Sequence, residues 1–201
     1  FTQNGVAQDA NGIASIAWSK VLGPGGIKFG TPDKLTTTVG AEVDGEYTIR
    51  LTVMDNAGNT NTDEMTFTWD TTAPTVSAGA DAGGQNTVFT QIGTATDVNG
   101  ITSTVWSKVL GQGQVFFGEP NRLRTTVKAD IDGAYTIRLT VMDNAGNTNW
   151  DDLTFTWDAT SPQVEAGADA EAKNATFTQI GTATDVNGIT STTWSRVSGV
   201  G

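Results

Sequence analysis

Between Tyr135 and Val141, apolar and polar side chains alternate without a break. Tyr135, Ile137, Leu139 and Val141 fall on one face, and Thr136, Arg138 and Thr140 on the other. A period of two belongs to a strand with one buried face. Leu153, Phe155 and Trp157 keep the same rhythm and predict a partner strand beyond the turn Asp143-Asn-Ala-Gly-Asn147. Further strands are predicted over residues 89–96 and 101–110, joined by Asp97-Val-Asn-Gly100, with shorter ones over 115–117 and 122–128. Helical periodicity is missing, and turn signals recur about every ten residues, the rhythm of an antiparallel β-sandwich.

The whole pattern then repeats. Phe1-Thr2-Gln3 returns as Phe89-Thr90-Gln91 and as Phe177-Thr178-Gln179, a period of 88 residues. Any site in one copy therefore has a built-in comparison in the next. Asp70-Thr-Thr-Ala-Pro74 and Asp158-Ala-Thr-Ser-Pro162 mark the seams, because a proline after a strand interrupts the ladder and keeps a link extended. Counted from the seams, residues 1–72 form a domain lacking its first strand. Residues 73–160 form a complete domain, and 161–201 the N-terminal part of a third. Phe1 is no start methionine, so the chain reads as a window of a longer array. Its cut edges then need completion, by continuation of the chain or by a neighbouring subunit.

Composition narrows the chemistry. The net charge is −11, and there is neither histidine nor cysteine. Disulfides, thiolate metal sites and the commonest general base are thereby excluded. An acidic chain lacks the Lys and Arg that nucleic-acid phosphates require, and it favours cations. No apolar run is long enough to insert into a membrane as a helix. Carboxylates lie in turns repeated in every copy, which suits scaffolding better than one catalytic cleft, so the chain is read as no enzyme.

Gly133-Ala-Tyr135 followed by Ile137, Leu139, Val141 and Asp143-Asn-Ala-Gly resembles the late strands of PKD and bacterial Ig-like domains. Ala78-Gly-Ala-Asp81, the Asp-x-Asn-Gly turn and the Trp106 strand are similar to PKD-type repeats. The link from Trp69 to Pro74 resembles the linker of Ig-like arrays in giant bacterial adhesins, although Ser161 departs from it at the second seam. The resemblance implies tandem immunoglobulin-like, PKD-like sandwiches in an extracellular or cell-surface stalk, often stiffened by calcium.

In such a sandwich the domain entry, the second-to-third strand loop and the last hairpin loop gather at one end. That end would hold Asp70, Asp97, Asn99, Asp143, Asn144 and Asn147, with Asp44 of the preceding repeat nearby. The next seam offers Asp132, Asp158, Asp185 and Asn187. Calcium takes six to eight hard oxygens of this kind. The same residues are equally good turn formers without any ion, and no EF-hand spacing is present. Both readings stand at this point.

Trp18, Trp106 and Trp194 occupy the strand where the fold places its core tryptophan. Asp44-Gly-Glu-Tyr47 and Asp132-Gly-Ala-Tyr135 carry the signature of a tyrosine corner. Trp150 stands where the first copy has Thr62, which makes it a candidate surface contact. The function expected is a stalk, spacer or fibre-forming segment of a long secreted or surface bacterial protein. Its partners would be neighbouring repeats, identical subunits, or a host-cell, matrix or glycan receptor. The alternatives are a filament or surface-layer subunit completed by strands of its neighbours, and a carbohydrate-binding accessory module of a secreted enzyme.

Overall fold

The computed structural model describes residues 1–171 and 175–199, which contain strands and no helix. The first repeat carries β1 (Thr2–Asn4), β2 (Ile13–Leu22), β3 (Ile27–Phe29), β4 (Thr36–Ala41), β5 (Gly45–Asp55) and β6 (Thr60–Trp69). The second begins with β7 (Thr75–Ser77), β8 (Ala82–Gln85), β9 (Phe89–Ile92) and β10 (Thr94–Thr96). It continues through β11 (Ile101–Leu110), β12 (Val115–Phe117), β13 (Arg124–Ala129), β14 (Gly133–Asp143) and β15 (Thr148–Trp157). The third contributes β16 (Gln163–Glu165) and β17 (Thr182–Thr184), an antiparallel pair.

The backbone packs as two compact units. One holds residues 1–74 with the segments 97–102 and 142–148, and the other holds 75–96, 103–141 and 149–201. In the first repeat, sheet β2-β5-β6 faces sheet β1-β4-β3. Trp18, Val39, Ile49 and Leu51 fill the space between them, flanked by Met65 and Phe67. In the second repeat, β11-β14-β15-β8 faces β12-β13-β9. Ile137, Leu139, Val141, Leu153 and Phe155 are buried there, as the alternation demands.

Trp106 and Trp18 each tie their sheet to the loop that leads into the facing one. The Trp106 indole N–H donates to the Arg122 carbonyl at 2.9 Å, and that of Trp18 donates to Lys34 at 2.9 Å. A buried indole needs such an acceptor. The tyrosine corners also form. Tyr135 Oη donates to the Ile131 carbonyl at 2.6 Å and Tyr47 Oη to that of Val43 at 2.7 Å, four residues upstream in both copies. Each ring stacks on a phenylalanine, Tyr135 on Phe155 at 5.2 Å and Tyr47 on Phe67 at 5.5 Å.

The single strand expected over 89–96 is two. β9 pairs with β13 and β10 pairs with β7, with Gly93 as the break. A Cβ on Gly93 would overlap Leu139 and press on the Ser77 carbonyl, so only glycine lets the backbone cross there. The entry segment changes partner as well: β7 runs antiparallel to β10, and β8 runs parallel to β15.

Candidate functional site

Asp-x-Asn-Gly forms the same tight turn in all three copies. The Asp97 carboxylate accepts the Asn99 amide at 2.8 Å, and Gly100 takes φ +86°. Asp9 and Asp185 bind the amides of Asn11 and Asn187 in the same way. The loop after β14 is held from within too. Asp143 Oδ1 accepts the amides of Ala145 and Asn147 at 2.8 and 2.9 Å, and Oδ2 accepts Asn147 Nδ2 at 2.9 Å. Asp55 does the same for Ala57 and Asn59. These local bonds therefore account for the turns without a ligand.

The link after β6 is different in kind. Asp70, Asp97 and Asp143 come from three separate segments of one compact unit, and they present carboxylate oxygens within 4.8 Å of one another. Asp143 is buried and the other two are half-buried. Asp70 Oδ1 accepts the Thr72 amide at 3.1 Å, whereas Asp70 Oδ2 is buried with no hydrogen-bond partner. None of the salt bridges among the described residues reaches these three aspartates.

Burial alone would push the Asp143 carboxyl up. The Asn147 side chain and the amides of Asn147, Ala145 and Gly146 outweigh that effect and hold it below the ordinary aspartate value. The group thus remains an anion inside the cluster.

The two asparagines act mainly as ties. Asn144 donates to the Asn99 carbonyl at 2.6 Å and accepts the Thr102 hydroxyl, joining the two loops. Asn147 Nδ2 also donates to the carbonyls of Asp70 and Thr72, at 3.2 and 3.3 Å. Asp44 lies outside the three-carboxylate cluster and holds the link from another side. Its Oδ1 accepts the amide and hydroxyl of Thr71, both at 2.9 Å, and its Oδ2 accepts the Thr72 hydroxyl. Thr71 and Thr72 are the residues sequence reasoning passed over. Their signal is their place directly after Asp70.

At the next link, Asp132 repeats the role of Asp44, accepting the amides of Ala159 at 2.7 Å and Thr160 at 3.2 Å. Asp158 and Asp185 are half-buried and Asn187 is exposed. Among the described residues they belong to no three-carboxylate cluster.

The Thr72 and Thr71 hydroxyls hold the Asp44 carboxyl below its ordinary 3.8, and the Ala159 amide and Thr160 hydroxyl do so for Asp132. A depressed folded value means that stabilisation is complete above the ordinary value and fades as pH falls through the lower folded one. We therefore expect both links to loosen only on acidification below 3.8. Melting followed across that range checks this, since Asp44→Asn should flatten part of the acid limb.

Trp150 is 53% exposed on the outer face of β15, and the Arg138 guanidinium lies 3.6 Å from its ring centroid. Arg138 is fixed in turn by two hydrogen bonds to Asp152, at 2.8 and 2.9 Å. One ring face is therefore occupied by a cation–π contact within the domain.

A family model described as K319L-like, PKD domain, matches residues 1–68 and 79–156, more than half of the chain. The dyslexia-associated protein KIAA0319 homolog of Mus musculus is 29% identical over 161 residues, covering 74% of this chain and 14% of its own. The KIAA0319-like protein of the same species is 30% identical over 176 residues, covering 81% and 17%. The chain thus spans less than a fifth of these relatives. Among solved structures, the PKD domain from KIAA 1837 protein superposes with a TM-score of 0.39 at 22% identity, covering 51% of this chain and 99% of that one. The D00-D0 domain of intimin gives 0.40 at 14% identity, covering 77% and 92%.

Proposed function

This chain belongs to the K319L-like PKD domain family, and on that premise we propose that it is a structural stretch of tandem sandwiches in the extracellular part of a longer protein, with calcium fixing the link at Asp70. One observation carries the calcium reading. The buried Asp70 Oδ2 lacks a hydrogen-bond partner and sits in the group formed with the Asp97 and Asp143 carboxylates. A buried acceptor without a partner is unfavourable, and crowding three carboxylates compounds the penalty. A hard cation relieves both, and carboxylate oxygens are the ligands it takes.

Asp55 and Asp143 make the same internal bonds, so the turn itself needs no ion, and the Asp70 carboxylate is what the link adds to it. Binding there would hold residues 70–72 to the loops at 97–100 and 143–147, adding to the hydrogen bonds from Asp44 and Asn147. The mechanical result is a link with few accessible conformations, which is what a spacer requires. The chemistry is scaffolding, with no catalytic step assigned to any residue.

Calcium at about 1 mM, the working range of extracellular modules, is expected to raise the melting transition in a concentration-dependent manner. Chelator should reverse the rise, and Asp70→Asn should remove it. Melting curves and scattering profiles that coincide with and without calcium would sink the calcium part and leave the spacer reading standing.

A further inference from the structure

Asn99 belongs to the Asp97 turn, yet the turn makes no use of its side chain. Its backbone amide donates to Asp97 Oδ1 at 2.8 Å, and its carbonyl accepts Asn144 Nδ2 at 2.6 Å. The side-chain amide has no hydrogen-bond partner among the described residues. Residue 100, by contrast, is tightly constrained. Gly100 holds φ +86°, and a Cβ there would come within 3.0 Å of Asn144 Nδ2. The turn therefore sets an unbound asparagine amide directly before a backbone nitrogen that no side chain shields. Val98 beside it is 100% exposed, so water reaches the tip.

A second loop acts on the same peptide group. The Asn144 side chain donates to the Asn99 carbonyl, and the Asn144 amide donates to the Gly100 carbonyl at 3.2 Å. A hydrogen bond on the Asn99 carbonyl draws electron density from the nitrogen of that peptide, which eases loss of the Gly100 proton. The Gly100 N–H is held only by a long bond to the Asp97 carbonyl, at 3.3 Å. Asn11-Gly12 repeats each part: Asn56 donates to the Asn11 carbonyl at 2.6 Å, and the Gly12 amide lies 3.3 Å from the Asp9 carbonyl. Asn4-Gly5 is the same dipeptide in the opposite state. The Asn4 side-chain oxygen accepts the Thr36 hydroxyl at 2.9 Å, and the Gly5 amide donates to the Leu35 carbonyl at 2.9 Å. Gly5 is also packed against Trp18 and Leu51.

We propose that Asn99 and Asn11 are sites of spontaneous deamidation in the folded protein, with water as the only co-reactant. The Gly100 nitrogen gives its proton to solvent and bonds to Asn99 Cγ. The Cγ–Nδ2 bond breaks, and the side-chain nitrogen takes a proton from solvent and leaves as ammonia. The cyclic imide then adds one water. Opening at the side-chain carbonyl gives aspartate; opening at the main-chain carbonyl gives isoaspartate, whose backbone runs through Cβ and Cγ. One water enters and one ammonia leaves, with no change of oxidation state. Either product adds a negative charge two residues from Asp97, and isoaspartate also lengthens the turn that Asp97 closes. Ageing of the molecule thus changes the setting of the Asp97 carboxylate from within its own loop, whether or not an ion is bound there.

Peptide mapping by mass spectrometry of the 201-residue chain, kept folded in warm, mildly alkaline buffer, tests the proposal. We expect the peptides of Asn99 and Asn11 to convert to a mixture of aspartate and isoaspartate, several-fold faster than the peptide of Asn4. In denaturant the Asn-Gly pairs at 4, 11, 99 and 187 should converge on one rate. Asn144→Ala should slow Asn99 several-fold and leave Asn11 in the same molecule unchanged, with amide exchange over 97–100 checking that the turn stays closed. A folded chain that keeps Asn99 and Asn11 as amides while the denatured chain converts overturns the proposal. So does conversion of Asn4 at the rate of Asn99 in the folded chain, because the turn would then play no part. An unchanged Asn99 rate in Asn144→Ala, with the turn closed, overturns the role given to Asn144.

Discussion

Trp106→Ala is expected to destabilise the second repeat by about 3–5 kcal/mol, the usual loss for truncating a buried tryptophan. The same substitution at Trp18 should give a smaller loss. The two residues occupy equivalent positions 88 residues apart and are 2% and 7% exposed. Each loses a cavity's worth of contacts and an indole hydrogen bond to the loop that leads into the facing sheet. Amide exchange resolved by repeat is the suitable measurement, because a chain of several units does not unfold in one two-state step. A loss well below this range at Trp106 would contradict the burial assigned here.

Burial of one face also explains which parts of the fold were legible in the sequence. A strand with one wet face writes its surroundings into alternating residues, so β14 and β15 could be read directly from Tyr135 to Val141 and from Leu153 to Trp157. The tyrosine corners were legible because Asp-Gly fixes the turn that brings the hydroxyl back to the chain. β7 and β8 were not. Their segment is a run of small residues with one valine, Asp81 and Gln85, and it is held by Asp151 and Gln91, residues 73 and 13 positions from Ala78. No local pattern records such bonds. The recurrence of Gln at 3, 91 and 179 was the available trace.

The candidate site divides along the same line. Asp97 and Asp143 could be placed together from the loops that meet at one end of an Ig-like sandwich. Whether an asparagine side chain ties two loops or faces a ligand depends on which of its two ends has a partner, and sequence is silent on that. Asn144 uses both ends on Asn99 and Thr102. Asp44 was placed in the same neighbourhood because the preceding repeat presents its far end there, and its oxygens are engaged by Thr71 and Thr72. The part that no pattern showed is the orphaned oxygen of Asp70, which exists only once the link is packed.

Gly111→Ala should cost the second repeat about 2–4 kcal/mol, although it adds a single methyl group. Gly111 holds φ +115°, a conformation that L side chains rarely adopt, and its Cβ would overlap the Tyr135 ring. That ring cannot step aside easily. Its hydroxyl is pinned to the Ile131 carbonyl, and its face is stacked on Phe155 with the planes 12° apart. Gly146→Ala separates the two contributions, because φ is +94° there and nothing lies within 4 Å of the added carbon. Backbone strain alone should then cost roughly 1 kcal/mol. The first repeat supplies a further check, since Gly23 holds φ +132° against the Tyr47 ring. If denaturant unfolding gave the same loss for Gly111→Ala and Gly146→Ala, the ring contact would contribute nothing. A larger loss at Gly111 and Gly23 would identify the tyrosine corner as the point where each repeat tolerates least change.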